Sequence, residues 1–264
     1  MKLTENNYYS KEANLKYLSA SQYKDFIGCP AKPSCEAHAM ARLKGEWEDE
    51  KTTAMIMGSY ADAYFEGTLE QFKENTPEIF TKQGTLKAEY KKADEVIARV
   101  EKDPLFLAHL NGEHQKIMTG KIFGVDFKIK MDSFFIDKLI VDLKFVEDIH
   151  KRNWVKDEGF MDFIRFWSYD GQLAIYQEIV RQNTGKKLPC VIACMDKTKS
   201  PDYALVPIDQ YLMDDYLNGM EYNLKRIVEL KEGKAEPIRC EKCDYCKATK
   251  VLKGYTPLDR LIEV

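Results

Sequence analysis

Asp142-Leu143-Lys144 sets a carboxylate and an amine two residues apart inside an apolar run that holds Leu139, Ile140 and Val141. In a strand, residues i and i+2 point to one face, so Asp142 and Lys144 are neighbours there. Holding such charges on a central strand costs on the order of several kcal/mol per ion before compensation. A metal ion is one compensation. Asp132 lies near the end of the preceding strand, where a hairpin folds it back beside Asp142. Two carboxylates and a backbone carbonyl, that of Leu143, suit Mg²⁺, which takes oxygen ligands and keeps several waters. Phosphodiester hydrolysis uses such a set: the metal polarises the phosphate and acidifies a water, and a lysine stabilises charge or helps to take the proton. The plain alternative is a cross-strand ion pair without chemistry, because Asp-x-Lys is a common tripeptide.

Other polar residues fall in order around this centre. Gln172 and Tyr176 are spaced i, i+4 on a later helix and face one way. Alone they read as a hydrogen-bonded packing face. Gly58-Ser-Tyr-Ala-Asp62 lies on an earlier helix, where an aspartate is ordinarily solvated. Glu113 precedes the first strand and alone reads as a surface loop residue.

The elements that position these residues follow from periodicity. Ser21 is a suitable N-cap for a helix, which Pro30 and Pro33 then interrupt. Helical patterns resume over 35–44, 53–65 and 86–101; Gly67 ends the second of these and Asp103-Pro104 breaks the third. In 124–132, Val125, Phe127, Ile129 and Met131 alternate with Asp126, Lys128, Lys130 and Asp132, the pattern of a half-buried strand. Residues 138–146 form a second, more continuously apolar strand, with a turn at Asp137-Lys138 between the two. A long helix over 161–182, strands over 190–195 and 203–208, and an amphipathic helix over 209–231 complete an α/β pattern with no internal repeat.

Seven cysteines occur. Cys190 and Cys194 lie in an apolar strand and read as core. Cys240-x-x-Cys243-x-x-Cys246 has metal-ligand spacing and needs a fourth ligand from elsewhere. Structural Zn²⁺ and an iron–sulfur cluster both fit three cysteines plus one. Exposed free thiols oxidise, which counts against three unliganded ones.

Composition bounds the rest. With 44% hydrophobic and 31% charged residues, the chain builds a core and is not disordered. The net charge of −3 gives no global basic signature, so nucleic-acid binding requires a local basic groove. The N-terminus lacks an apolar targeting segment and no run is long enough to cross a bilayer, so a cytoplasmic protein without a membrane role is expected, and with it no disulfide framework.

The order Gly58-x-x-x-Asp62, Glu113, Asp132, Asp142-x-Lys144, Gln172-x-x-x-Tyr176 resembles the RecB-type branch of the PD-(D/E)XK nucleases. Residues 18–26 and Cys35-Glu-Ala resemble its phage RecE-like, exodeoxyribonuclease VIII-type members. The resemblance spans roughly residues 17 to 250. It implies a restriction-endonuclease-like α/β core, a central mixed β-sheet flanked by helices, as one domain over 1–264. N-terminal helices occupy 17–66, the catalytic core 110–210, and a C-terminal helix with a Cys-rich tail 209–250. It implies Mg²⁺ or Mn²⁺ held by Asp132, Asp142 and the Leu143 carbonyl, with Asp62 and Glu113 as further ligands. Lys144 is then the catalytic lysine, and Gln172 and Tyr176 position the phosphate. The branch usually has His where Asp62 stands; Asp either still ligates a hard cation, suiting Mg²⁺ better than His does, or weakens the site. The family's cysteine centre ties an N-terminal cysteine, here Cys29 or Cys35, to three C-terminal ones, with a C-terminal spacing different from this one.

The activity implied is a metal-dependent DNA exonuclease that resects linear duplex ends for phage-type recombination, working as a homo-oligomeric ring with a single-strand annealing protein as partner. Two other readings stand beside it. One is a nuclease of CRISPR adaptation, which the cysteines favour and the phage-like N-terminal segment disfavours. The other is a catalytically inactive nuclease fold that binds DNA.

Overall fold

A computed structural model describes the chain except residues 253, 256 and 259–264, so the end of the expected 1–264 domain lies outside the described residues. Seven α-helices come first among the described residues: α1 (Lys11–Lys16), α2 (Ala20–Ile27), α3 (Glu36–Lys44), α4 (Thr53–Phe65), α5 (Leu69–Asn75), α6 (Ala88–Val100) and α7 (Pro104–Leu110). Strands β1 (Glu113–Ile122), β2 (Val125–Phe135) and β3 (Leu139–Val146) follow, then a small hairpin of β4 (Asn153–Val155) and β5 (Gly159–Met161). Helices α8 (Phe163–Phe166) and α9 (Tyr169–Thr184), strands β6 (Cys190–Asp196) and β7 (Tyr203–Pro207), and helices α10 (Gln210–Lys231) and α11 (Asp244–Ala248) complete the order.

The main sheet has the order β1-β2-β3-β6-β7. The β3–β6 pair is parallel and the other pairs are antiparallel. This is the mixed sheet of an α/β fold. The parallel pair sits at its centre, and every residue of β6 is buried, which accounts for its continuously apolar sequence. Helices cover both faces. Ile140, Ile192 and Cys194 pack with Leu173 and Ile179 of α9 and Met220 and Leu224 of α10. Val141, Leu143, Ala193 and Met195 pack on the other side with Ala61 of α4, Val96 of α6 and Phe106 of α7.

Local chemistry sets several boundaries. Ser19, not Ser21, caps α2, because Ser19 accepts the Gln22 N–H while the Gln22 side chain accepts the Ser19 N–H. Asp103-Pro104 does end α6, and it also starts α7: Asp103 accepts the N–H groups of Leu105 and Phe106, and Pro104 has no N–H to lose there. The expected helix over 161–182 is three pieces, since β5 runs to Met161, α8 ends at Phe166, and Ser168 takes a left-handed φ of 50° before α9. β1 places Glu113 in a strand rather than ahead of the first one.

The β2–β3 ladder is short. It joins Phe135 to Leu139, Phe134 to Ile140 and Ser133 to Val141, and then the strands part. β3 continues beside β6 through Val146, while β2 continues beside β1. On the freed edge of β2, the Leu18 N–H bonds the Asp126 carbonyl and the Lys128 N–H bonds the Leu18 carbonyl. The chain thus leaves a fork in the sheet.

Candidate active site and cysteine centre

Asp132 and Asp142 are the residues that would pair next in the β2–β3 register, and they stand at the mouth of the fork. With the ladder broken there, the Asp132 carboxylate takes the Leu143 N–H at 2.9 Å. His114 Nδ1 lies 3.2 Å from the Asp132 carbonyl. Across β1, Gln115 breaks the pairing with a left-handed φ of 51°. Such a conformation costs a non-glycine residue of order 1–3 kcal/mol and is held only by its surroundings.

Asp142 is 1% exposed, so its charge needs local partners. Gln172 Nε2 donates to its Oδ1 at 2.6 Å, and Lys144 Nζ forms an ion pair with its Oδ2. Lys144 Nζ also donates to the Leu143 carbonyl at 3.3 Å and lies 4.9 Å from the centre of the Tyr169 ring. Gln172 Nε2 reaches Tyr176 Oη at 3.1 Å, and Tyr176 donates to the Lys130 carbonyl at 3.1 Å. The i, i+4 pair of α9 therefore straps the two parted strands together.

A cavity of about 1240 Å³ opens on this cluster, and Asp62, Asp132, Gln172 and Tyr176 line it. Burial raises the Asp62 carboxyl to about 7; Glu66 and Asp142 add to this against the pull of Lys144 and Lys130. Burial, then the charges of Asp142 and Asp62, lifts Asp132 well above the usual carboxylate range. Lys144 goes the other way. Burial opposes its charge, but Asp142 and Asp132 outweigh that and hold the ammonium more firmly than in water. Asp62, Asp132 and Asp142 all feel the Lys144 ammonium, and Asp62 feels Lys130 as well.

Glu113 does not join them. It lies opposite Phe134, is exposed, and pairs with Lys116 at 2.8 Å. Glu66 does line the cavity, and it accepts from Gln115 Nε2 at 2.5 Å. Sequence reasoning missed Glu66, although its place one helical turn after Asp62 puts both on one face of α4.

At the far end of α3 the thiols of Cys35, Cys240, Cys243 and Cys246 lie within 4.8 Å of one another. Among the described residues this is the one group of three or more His, Cys, Asp or Glu side chains that converges so closely. Backbone N–H groups turn toward the sulfurs: those of Lys242 and Cys243 point at Cys240 Sγ, and that of Cys246 at Cys243 Sγ. Although burial opposes it, those bonds bring the Cys240 thiol down to about 7. The tail is tied to α3 independently. Arg226 grips Glu36 through two bonds of 2.9 and 2.8 Å, and the Ile238 N–H donates to Glu36 at 2.8 Å. Cys29 is elsewhere, in a tight turn whose backbone bonds Lys32. Of the two N-terminal candidates, the structure brings Cys35 to the cluster. Four converging thiols fit Zn²⁺ or an iron–sulfur cluster equally.

The model of a PDDEXK-like domain of unknown function, DUF3799, matches residues 19–249. The chain belongs to this family. The PD-(D/E)XK resemblance of the sequence thus holds over nearly the whole chain. No curated protein matches. The crystal structure of a "Putative exonuclease" from Eubacterium rectale, at 2.19 Å resolution, superposes with a TM-score of 0.97 and 50% identity over 99% of this chain and 98% of that one. The crystal structure of SSO0001 aligns over 82% of this chain and 85% of its own at 11% identity and a TM-score of 0.28, too distant to carry an argument. Among the described residues of this PDDEXK-like chain, no helix is long and apolar enough to cross a membrane.

Proposed function

We propose that the chain is a divalent-metal-dependent DNA exonuclease that works from linear duplex ends. The observation that carries this is the placing of Asp132 and Asp142 opposite each other where the β2–β3 ladder ends, with Lys144 held against Asp142. The burial and the neighbouring carboxylates that raise Asp62 and Asp132 fit a hard cation, Mg²⁺ or Mn²⁺, held by Asp132, Asp142, the Leu143 carbonyl and Asp62. When bound, the metal polarises the phosphate and acidifies a water. Lys144, held against Asp142, is placed to stabilise charge on the phosphate or to help take the proton from the water. Gln172 and Tyr176 hold the parted strands and orient the Asp142 carboxylate. The cysteine centre holds Zn²⁺ or an iron–sulfur cluster and staples the tail to α3.

The name of the Eubacterium rectale structure supports the exonuclease part of this reading. Membership of the RecE-like branch, a ring of subunits, and resection with a single-strand annealing partner follow from the sequence resemblance alone. The test is incubation of the purified chain with linear and closed circular duplex, with Mg²⁺, with Mn²⁺ and with EDTA. The proposal expects loss of the linear duplex only, and only with metal. Cutting in EDTA, or no cutting with either metal, contradicts it.

A further inference from the structure

Two tyrosines ahead of the first helix stand beside a lysine that the hydrolytic set does not use. Tyr8 is clamped: Lys128 Nζ donates to its carbonyl and to Asn14 Oδ1 at 2.7 Å, and lies 4.5 Å from the Tyr8 ring centre. Tyr9 meets the Tyr8 ring edge-on at 4.9 Å but is itself 69% exposed. Lys130 is the next residue on the polar face of β2, and its Nζ lies 5.1 Å from the Tyr9 ring centre and 5.8 Å from that of Tyr8. Among the described residues no carboxylate lies within ion-pair distance of Lys130, whereas Lys116, Lys121 and Lys144 each have one.

Tyr8, Tyr9, Lys128, Lys130 and Asp132 all line the same cavity. Lys130 and Asp132 are two residues apart on one strand face, about 7 Å along it. A half-buried ammonium that acts on Asp62 and Glu66 only at longer range than an ion pair, next to an exposed aromatic face, suits a ligand that brings a negative charge and a flat ring together. Nucleic-acid strands do this at every nucleotide, and proteins bind them by combining a basic groove with aromatic stacking.

We infer that Tyr9 and Lys130 form a nucleotide station next to the hydrolytic site. The Tyr9 ring stacks on an unpaired base, and Lys130 holds the adjoining phosphate. The station positions a single-stranded stretch of the substrate at Asp132. This rests on the nuclease reading and adds to it where the frayed or overhanging strand goes.

The test uses the full chain and a duplex with a single-stranded overhang, compared with a blunt one. Cleavage gives KM and kcat, and fluorescence anisotropy of a labelled single strand, without added divalent metal, gives affinity. Tyr9→Ala is expected to weaken binding of the single strand and to raise KM for the overhang substrate about tenfold, with kcat unchanged. Tyr9→Phe keeps the ring and is expected to match the wild type. Lys130→Met is expected to weaken binding and to reduce the slope of log affinity against log salt by about 0.7, the value for one phosphate contact on a single strand.

If the wild type cuts DNA while Tyr9→Ala and Lys130→Met bind and cut like it, the station is refuted and the nuclease reading stands. If Tyr9→Ala changes the oligomeric state and leaves affinity alone, the ring belongs to a contact between copies of the chain and the station is likewise refuted. If the wild type neither binds nor cuts, the nuclease reading falls and the station with it.

Discussion

At the fork between β2 and β3, carboxylates from Asp62, Asp132 and Asp142 gather around the ammonium of Lys144, and Asp142 is already occupied by Gln172 and Lys144. At the C-terminal tail, four thiols from Cys35, Cys240, Cys243 and Cys246 already stand at the mutual separation of joint ligands. On the proposed function, the contrast is that between a reactive site and a structural one. A closed ligand set stabilises the fold and leaves no position for a substrate. An acidic set that is incomplete on its own, lies on a large cavity and is held by a lysine has room for a cation and a phosphate together. Each region stays in place by a different device: the acids by a broken sheet ladder, the thiols by turning backbone N–H groups and the Glu36–Arg226 clamp.

The largest expected stability effect tests the thiol side. Cys35→Ser is expected to lose the bound metal and lower the Tm by about 10 °C, because metal binding and folding of the tail are linked. Cys29→Ser is expected to keep both. Elemental analysis and a thermal melt of the two proteins, purified anaerobically, decide this. Equal metal content in the two would place the fourth ligand elsewhere.

Much of this contrast was legible in the sequence. The alternation over 124–132 and the apolar run before Asp142 follow directly from burial on one face of a strand and on both faces of another. The spacing of Cys240, Cys243 and Cys246 carried the centre, since two intervening residues let successive thiols turn inward. Other parts were hidden for physical reasons. β1 is half-exposed along most of its length, so its sequence, with Lys116, Thr119 and Lys121, shows no clear period. The break at Ser168 depends on a left-handed backbone that no glycine announces. Glu113 and Glu66 are both glutamates near the right place, and only the register of β1 shows that the first points away. The choice of Cys35 over Cys29 depends on how the turn after α2 folds, which spacing does not encode.

A smaller effect sharpens the acidic side. Gly171 precedes Gln172 in the first turn of α9, and a Cβ there would lie 2.2 Å from the Tyr216 ring of α10. A ring held between two helices cannot yield cheaply. Gly171→Ala is expected to cost about 1–3 kcal/mol, a fall in Tm of roughly 2–10 °C by calorimetry. It is also expected to slow cleavage by displacing Gln172. An unchanged Tm would mean that α9 and α10 are not locked together as described.

The smallest effect concerns charge. The Asp62 carboxyl is raised to about 7 in the fold from an ordinary value of 3.8. The folded state therefore binds the proton more tightly than the unfolded one, and this contribution to stability is full below about pH 4 and is lost as pH rises through about 7. Asp132 adds in the same direction. Asp62→Asn is expected to raise the Tm of the protein without added Mg²⁺ at pH 8 by about 2–4 °C and to do little at pH 4. Added Mg²⁺ is expected to narrow that difference at pH 8. Melts at the two pH values check this, and a stabilisation equal at both would show that Asp62 is not held against other charge.

The division of labour between a metal-holding carboxylate and a charge-stabilising lysine is tested most directly by calorimetric Mn²⁺ titration of Asp142→Asn and Lys144→Ala, each also assayed for cleavage. Both are expected to cut linear duplex at least about a hundredfold more slowly than the wild type. They are expected to differ in the titration. Asp142→Asn removes a charged ligand and weakens Mn²⁺ binding. Lys144→Ala removes the positive charge beside the carboxylates and leaves binding as tight as in the wild type or tighter. Equal loss of Mn²⁺ by the two variants, or wild-type cleavage by either, would contradict the account.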